Sequence, residues 1–198
     1  MPTSLPENTS GFRLLRHGQS EANVKGLIAS SAAAALEAFG LTPVGREQVR
    51  ESVVAALAAG ILPPTCRVIS SPLLRARESA AIAAEVLGTT VHVDPRLAER
   101  GFGEFELGSD EHYQRVWAED RADPAHERWG VESAVSILGR VAPLLRELEE
   151  ADGTATYVLC THGDVASVLL CASGGLALTQ HRDVGAMGNG EVRSLGPM

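Results

Sequence analysis

Short apolar runs alternate with stretches of helical spacing along most of this chain. Phe12, Leu14 and Leu15 mark a first strand at about 11–16. Ala32 to Leu36 predicts a short helix. Leu41-Thr42-Pro43 opens a longer one, because Thr42 can cap it and Pro43 suits its first turn. Val44, Val49, Val53, Val54 and Leu57 then recur at helical spacing until Gly60. Arg67-Val68-Ile69-Ser70 predicts a second strand, and Ser71-Pro72 opens a helix that runs through Arg75 to Leu87 and stops at Gly88. Val91-His92-Val93 is a third strand, ended by Asp94-Pro95. Residues 97–108 are glycine-rich and irregular. Residues 110–129 are charged, carry Trp117 and Trp129, and predict an inserted helical flap. Glu132 to Glu150 is amphipathic, with Val135, Leu138, Val141, Leu145 and Leu148 on one side. A fourth strand at Thr156–Cys160 leads into a helix from Asp164 to Cys171, and Glu191–Leu195 predicts a last strand at a sheet edge. Strands alternating with helices predict an α/β fold, a three-layer α/β/α sandwich around a mostly parallel sheet.

Composition narrows this picture. A chain of 198 residues suits one domain, 1–198, with a frayed tail at 1–10 and a cap insertion at about 104–130. The net charge of −8 argues against nucleic acid or an anionic membrane as the main partner. Residues 1–11 lack the apolar core of a signal peptide, and no run reaches the roughly 18 apolar residues that span a bilayer. A cytoplasmic protein is expected. Cys66, Cys160 and Cys171 sit in apolar runs without metal spacing, which predicts buried free thiols.

The candidate chemistry lies where strands end. The first strand delivers Arg16-His17-Gly18 and the fourth delivers His162-Gly163. Ligands of open α/β sheets bind at the carboxyl ends of the strands. Arginine there suits a planar oxyanion, which it grips with two parallel hydrogen bonds. Imidazole is mostly neutral at pH 7, so its free lone pair can attack. Glycine at position 18 lets the backbone approach a ligand closely. Arg75 falls on the first turn of a helix, where anions are favoured. Glu99 follows the third strand and supplies a carboxyl for acid/base work.

Together these spacings resemble the histidine phosphatase superfamily, the phosphoglycerate mutase-like family. Arg16 through Asn23 match its opening motif. Leu41-Thr42-Pro43-Val44-Gly45, Ser70 to Ala76, Leu97-Ala98-Glu99, Phe102 to Glu106, Gly130 to Ser133 and Thr161 to Val165 resemble its later blocks, and Asn189 falls where the family often has asparagine. The resemblance covers about residues 12–195. It implies that His17 attacks phosphorus and becomes a phosphohistidine. Arg16, Arg75 and His162 would ring the phosphoryl oxygens, Asn23 and Gly163 would help bind substrate, and Glu99 would be the general acid/base. It implies no metal and no cofactor, a small phosphorylated metabolite as substrate, and leaves a homodimer open. Glu99 would be pulled down by the arginines until an arriving phosphate dianion raises it.

Departures from the family favour a phosphatase over a mutase. Glu99-Arg100-Gly101-Phe102-Gly103 lacks the His-Tyr of true mutases, and the insert between Gly108 and Gly130 is short; separately, Ala22 stands where many relatives carry a bulky aromatic residue, which would widen the pocket floor. Two rivals stand beside this reading. His162-Gly163-Asp164 superficially looks like part of a metal-dependent phosphoesterase, but the other clusters such an enzyme needs are missing. A non-catalytic phospho-ligand-binding protein on the same fold is the other. His92, His112, His126 and His181 read as ordinary surface or strand residues, Arg100, Arg115, Arg121 and Arg128 as a solvated face, and Trp117 and Trp129 as flap packing.

Overall fold

The structure, a computed structural model, describes residues 4–196, the side chain of Ala32 excepted. Five strands form one sheet: β1 (Phe12–Arg16), β2 (Arg67–Ser70), β3 (Val91–Val93), β4 (Tyr157–Thr161) and β5 (Val192–Ser194), in the order β3-β2-β4-β1-β5. The first four run parallel, and β5 closes the β1 edge antiparallel. Seven helices connect them among the described residues: α1 (Glu21–Lys25), α2 (Ala32–Ala35), α3 (Pro43–Ala58), α4 (Leu74–Leu87), α5 (His112–Ala122), α6 (Ala134–Asp152) and α7 (Gly163–Ser173).

Side-chain alternation along the strands decides which helices cover which face. Phe12, Leu14, Ile69, Tyr157 and Leu159 point one way and bury against α6 and α7. Leu15, Val68, Val158 and Cys160 point the other way and bury against α3 and α4. The result is the expected three-layer sandwich. β4 lies at its centre and is buried at every position, as a strand covered on both faces must be. Cys66, Cys160 and Cys171 are buried free thiols. Among the described residues no helix is long and apolar enough to cross a membrane.

Several expectations need adjusting. The buried stripe of α3 is Gly45, Val49, Val53 and Ala56, while Val44 and Val54 face solvent. Valine spacing alone did not separate the two sides of this helix. Of the tail read at 1–10, residues 1–3 lie outside the described residues. Leu5 packs against the core beside α6 and α7, Thr9 is buried, and Arg146 donates to the Ser4 carbonyl at 2.5 Å. The flap contains α5, which packs on a small separate core of Ile28, Phe102, Phe105, Val116 and Val131.

Gly18 plays a part other than the close ligand approach expected of it. A methyl group added there would lie 2.1 Å from the Gly45 carbonyl oxygen, and one added to Gly45 would lie 2.0 Å from the Gln19 oxygen. The two glycines let the loop after β1 press backbone to backbone against the first turn of α3, whose Thr42 caps Gly45 N–H at 3.0 Å. Gly45→Ala should therefore destabilise the fold by about 3 kcal/mol and lower Tm by roughly 6–12 °C. Thermal unfolding checks it, and a Tm within about 2 °C of the parent would overturn this account.

Candidate active site

Strand register assembles the site. In the β1/β4 pair Arg16 lies opposite Thr161, so the next residues, His17 and His162, emerge side by side. Their ring centroids are 5.1 Å apart. β2 runs on the other side of β4 and leads through Ser71 to Arg75 on the first turn of α4. Arg16, His17, Arg75, Glu99, Asn23 and Gly163 all line one cavity of about 290 Å³ at the carboxyl ends of the strands. The residues expected to carry chemistry thus converge there except His162, which is fully buried with its ring beside that of His17.

The hydrogen bonds select tautomers. His17 Nδ1–H donates to the Gly18 carbonyl at 2.8 Å, which leaves the Nε2 lone pair free of a proton. Arg75 Nε–H donates to that lone pair at 3.1 Å. Burial, reinforced by Arg75 and Arg16, pushes His17 well below the usual imidazole range, so it is held neutral. The Ser71 hydroxyl accepts from Leu73 N–H at 3.3 Å and pairs with His162 Nε2 at 2.7 Å. His162 Nδ1 is buried and lacks a partner. Arg16 Nε and Arg75 Nη1 are likewise buried without one. Buried polar nitrogens without partners are costly, and the two that belong to arginines suit an anionic ligand. His162 is also pushed down, by burial and then Arg75, so arginine rather than imidazolium supplies the positive charge here.

Glu99 stands apart from its neighbours in sequence. Glu104 is exposed. Glu106 accepts from Ser30 N–H at 2.7 Å, from its hydroxyl at 2.5 Å and from Ser31 N–H at 3.1 Å, tying down the wall of the cavity. Glu99 accepts only the Arg100 N–H, at 2.9 Å, and faces the cavity. Burial and the nearby Asp164 charge raise its carboxyl to about 7, against the opposing pull of Arg75 and Arg16. The expectation that the arginines would dominate in the free protein is therefore corrected: burial and Asp164 win.

Asn23 spends its oxygen on the α1 cap, accepting from Ser20 N–H and Oγ at 3.0 Å, so its amide NH₂ is what remains for a ligand. Other cavity residues escaped the sequence reading. Tyr113 and Trp117, on successive turns of α5, stack with ring centroids 5.4 Å apart. The Arg182 guanidinium covers the other side of Trp117 at 3.7 Å. Asp164 accepts from Trp117 Nε1 at 3.1 Å and from Arg182 Nη1 at 3.2 Å. The i, i+4 spacing of the two aromatics was the available signal, and Trp117 packs as expected while also lining the cavity.

Three surface assignments are corrected. Arg100 is completely buried, paired with Asp120 on α5; Arg121 and Arg128 are exposed. His126 and His181 are buried beside Asp120, while His92 lies on an exposed strand position. A charged side chain looks solvated in sequence until its partner, here 20 residues away, is known.

No group of three or more His, Cys, Asp or Glu among the described residues is placed to hold a metal ion. The profile of the Histidine phosphatase superfamily (branch 1) matches residues 12–197. The chain belongs to this superfamily. A glucosyl-3-phosphoglycerate phosphatase of Mycobacterium tuberculosis is 30% identical over 191 residues, 89% of this chain and 80% of that protein. The adenosylcobalamin/alpha-ribazole phosphatase of Salmonella typhimurium is 27% identical over 165 residues, 79% of this chain and 76% of that one. The solved mycobacterial glucosyl-3-phosphoglycerate phosphatase in complex with VO3 superposes with a TM-score of 0.75 at 28% identity, covering 91% of this chain and 88% of its own. This chain is a phosphatase of the histidine phosphatase superfamily.

Within this histidine phosphatase, Ala22 leaves room beside Leu27 and Ala29 on the cavity wall, where a larger side chain would project. The electrostatic account of Glu99 is open to direct test. Asp164→Asn removes the carboxylate that helps keep Glu99 protonated, so the Glu99 carboxyl should titrate lower than in the parent. Carbon-13 NMR titration of labelled glutamate, assigned with Glu99→Gln, reads this. An unchanged or higher value would show that Asp164 does not set it.

Proposed function

We propose that this phosphatase is a metal-independent phosphomonoesterase that works through a phosphohistidine on His17. The observation that carries the reading is the neutral His17 Nε2 lone pair held by Arg75, with unpaired donors of Arg16, Arg75 and His162 around it. In the first step Nε2 forms a bond to phosphorus while the ester P–O bond breaks. Arg75 Nε–H, released from Nε2, is then free to donate to a phosphoryl oxygen. Arg16, Arg75, His162 and Asn23 hold the equatorial oxygens, whose charge grows in the transition state. Glu99 gives its proton to the leaving oxygen, which departs as an alcohol. In the second step Glu99, now a carboxylate, takes a proton from water as the water oxygen attacks phosphorus and the P–N bond breaks. Phosphate leaves and His17 is restored. A carboxyl titrating near 7 suits both roles.

The substrate is a small phosphorylated metabolite. The cavity is enclosed by α5, and relatives are named for glucosyl-3-phosphoglycerate and for adenosylcobalamin/alpha-ribazole phosphate hydrolysis. Those names favour hydrolysis over mutase transfer.

Glu99→Gln should slow alkyl phosphates by roughly 10²–10⁴-fold but p-nitrophenyl phosphate by less than about tenfold, because nitrophenolate leaves unaided. Steady-state rates on both substrates decide; equal losses would remove Glu99 from the acid role. His17→Asn should abolish turnover and an alkali-stable, acid-labile phosphoenzyme label, and activity should be unchanged in EDTA. Persistence of the label in that variant, or loss of activity with chelator, would overturn the mechanism.

A further inference from the structure

Outside the cavity, the densest cluster of buried charge centres on Asp120. Its Oδ2 accepts from Arg100 Nη1 at 2.6 Å and from His181 Nε2 at 3.1 Å. Its Oδ1 accepts from Arg100 Nη2 at 2.9 Å, and His126 Nε2 lies 3.0 Å away. Burial works against the Asp120 charge, but the bonds from His181 and Arg100 prevail and hold its carboxyl below the usual range. The partners come from separate segments: Asp120 from α5, His126 from the loop after it, His181 from the loop after α7, and Arg100 from the loop that carries Glu99.

Arg100 is the link to the reaction. Its own N–H is the hydrogen bond that Glu99 Oε1 receives. Its side chain is held on every side: Nε–H donates to Glu132 O at 2.7 Å, Nη1 also reaches Asp164 at 3.3 Å, and the remaining bonds go to Asp120. From outside, Arg140 grips the same loop, donating to the carbonyls of Arg96 and of Ala98, the latter at 2.9 Å. The backbone beneath Glu99 therefore sits between two arginines, and the inner one is anchored on α5.

We propose that Asp120 is a positioning residue for the general acid: by fixing the Arg100 guanidinium it fixes the N–H that orients Glu99, so seating of the cap and placement of the acid are one structural event. The inference rests on Glu99 as the acid. A bond to a buried bidentate guanidinium is strong and directional, so its loss leaves Arg100 held by Glu132 O and Asp164 alone and loosens the N–H that keeps the Glu99 carboxyl on the leaving oxygen. The phosphoryl-binding donors on β1, on α1 and α4, and just after β4 are not bonded to Asp120.

Asp120→Asn tests it, measured beside Glu99→Gln on an alkyl phosphate and on p-nitrophenyl phosphate, with vanadate inhibition reporting the phosphoryl site. The expected result is a fall in kcat for the alkyl ester of roughly tenfold or more, with KM, vanadate affinity and the aryl rate within about twofold of the parent. Equal losses on both substrates, or none, while Glu99→Gln keeps its leaving-group dependence, would overturn the positioning role and leave the acid assignment standing. If Glu99→Gln itself shows no such dependence, both fall. Should Asp120→Asn not fold, His181→Ala loosens the same carboxylate without uncovering Arg100. It should shift the alkyl-to-aryl ratio in the same direction, and an unchanged ratio would overturn the proposal.

Discussion

The register between β1 and β4 is the constraint on which this molecule depends. Because Arg16 pairs with Thr161, the two histidines that follow leave the sheet at the same height and meet 5.1 Å apart. A slip of one residue would reverse which residues face α6 and α7 and which face α3 and α4. It would also move His17 away from His162 and from the Arg75 donor on α4. The register is secured by the apolar residues of both strands, which are buried on both faces. The core and the site are therefore specified by the same pairing.

Around that pairing the fold concentrates donors and withholds their partners. Arg16 and Arg75 retain nitrogens without hydrogen bonds in a buried place, and both histidines are kept neutral by burial and by those arginines. Such an arrangement opposes folding stability and suits the binding of an anion. The carboxyls are handled in opposite ways. Asp120 is surrounded by donors and stays ionised, whereas Glu99 receives one N–H, faces another carboxylate and holds its proton to about 7. The two acids, linked through Arg100, are shifted in opposite directions because their surroundings differ.

The cap illustrates how far a short insertion can be integrated. α5 contributes Tyr113 and Trp117 to the cavity wall and, one turn beyond, Asp120 to the buried ionic cluster. Arg182 stacks on Trp117 and bonds Asp164, so the loop after α7 closes against the cap as well. The cavity is walled by segments that pack on one another through charge and aromatic contact rather than through the main apolar core.

Much of this was legible in the residues themselves. The alternation of apolar runs and helical stripes determined the α/β class and the five strands and larger helices, though not α1 or the bounds of α5, since burial periodicity is local. The Arg16-His17-Gly18, Arg75, Glu99 and His162-Gly163 segments determined the superfamily, since each motif lies at a strand end, in the loop beyond one or at a helix start and carries its chemistry with it. What depends on distant partners was decided only in three dimensions. Arg100, His126 and His181 read as surface residues, yet become buried because Asp120 lies across from them. Gly18 reads as a ligand-approach glycine, yet it serves a backbone contact with Gly45. Glu99 reads as a carboxyl lowered by arginines, yet its proton is held by desolvation and Asp164. Sequence specifies which groups can ionise or pack. Their charge and exposure follow from the neighbours that folding supplies, and electrostatic energies in a buried site depend on those separations and on the exclusion of water.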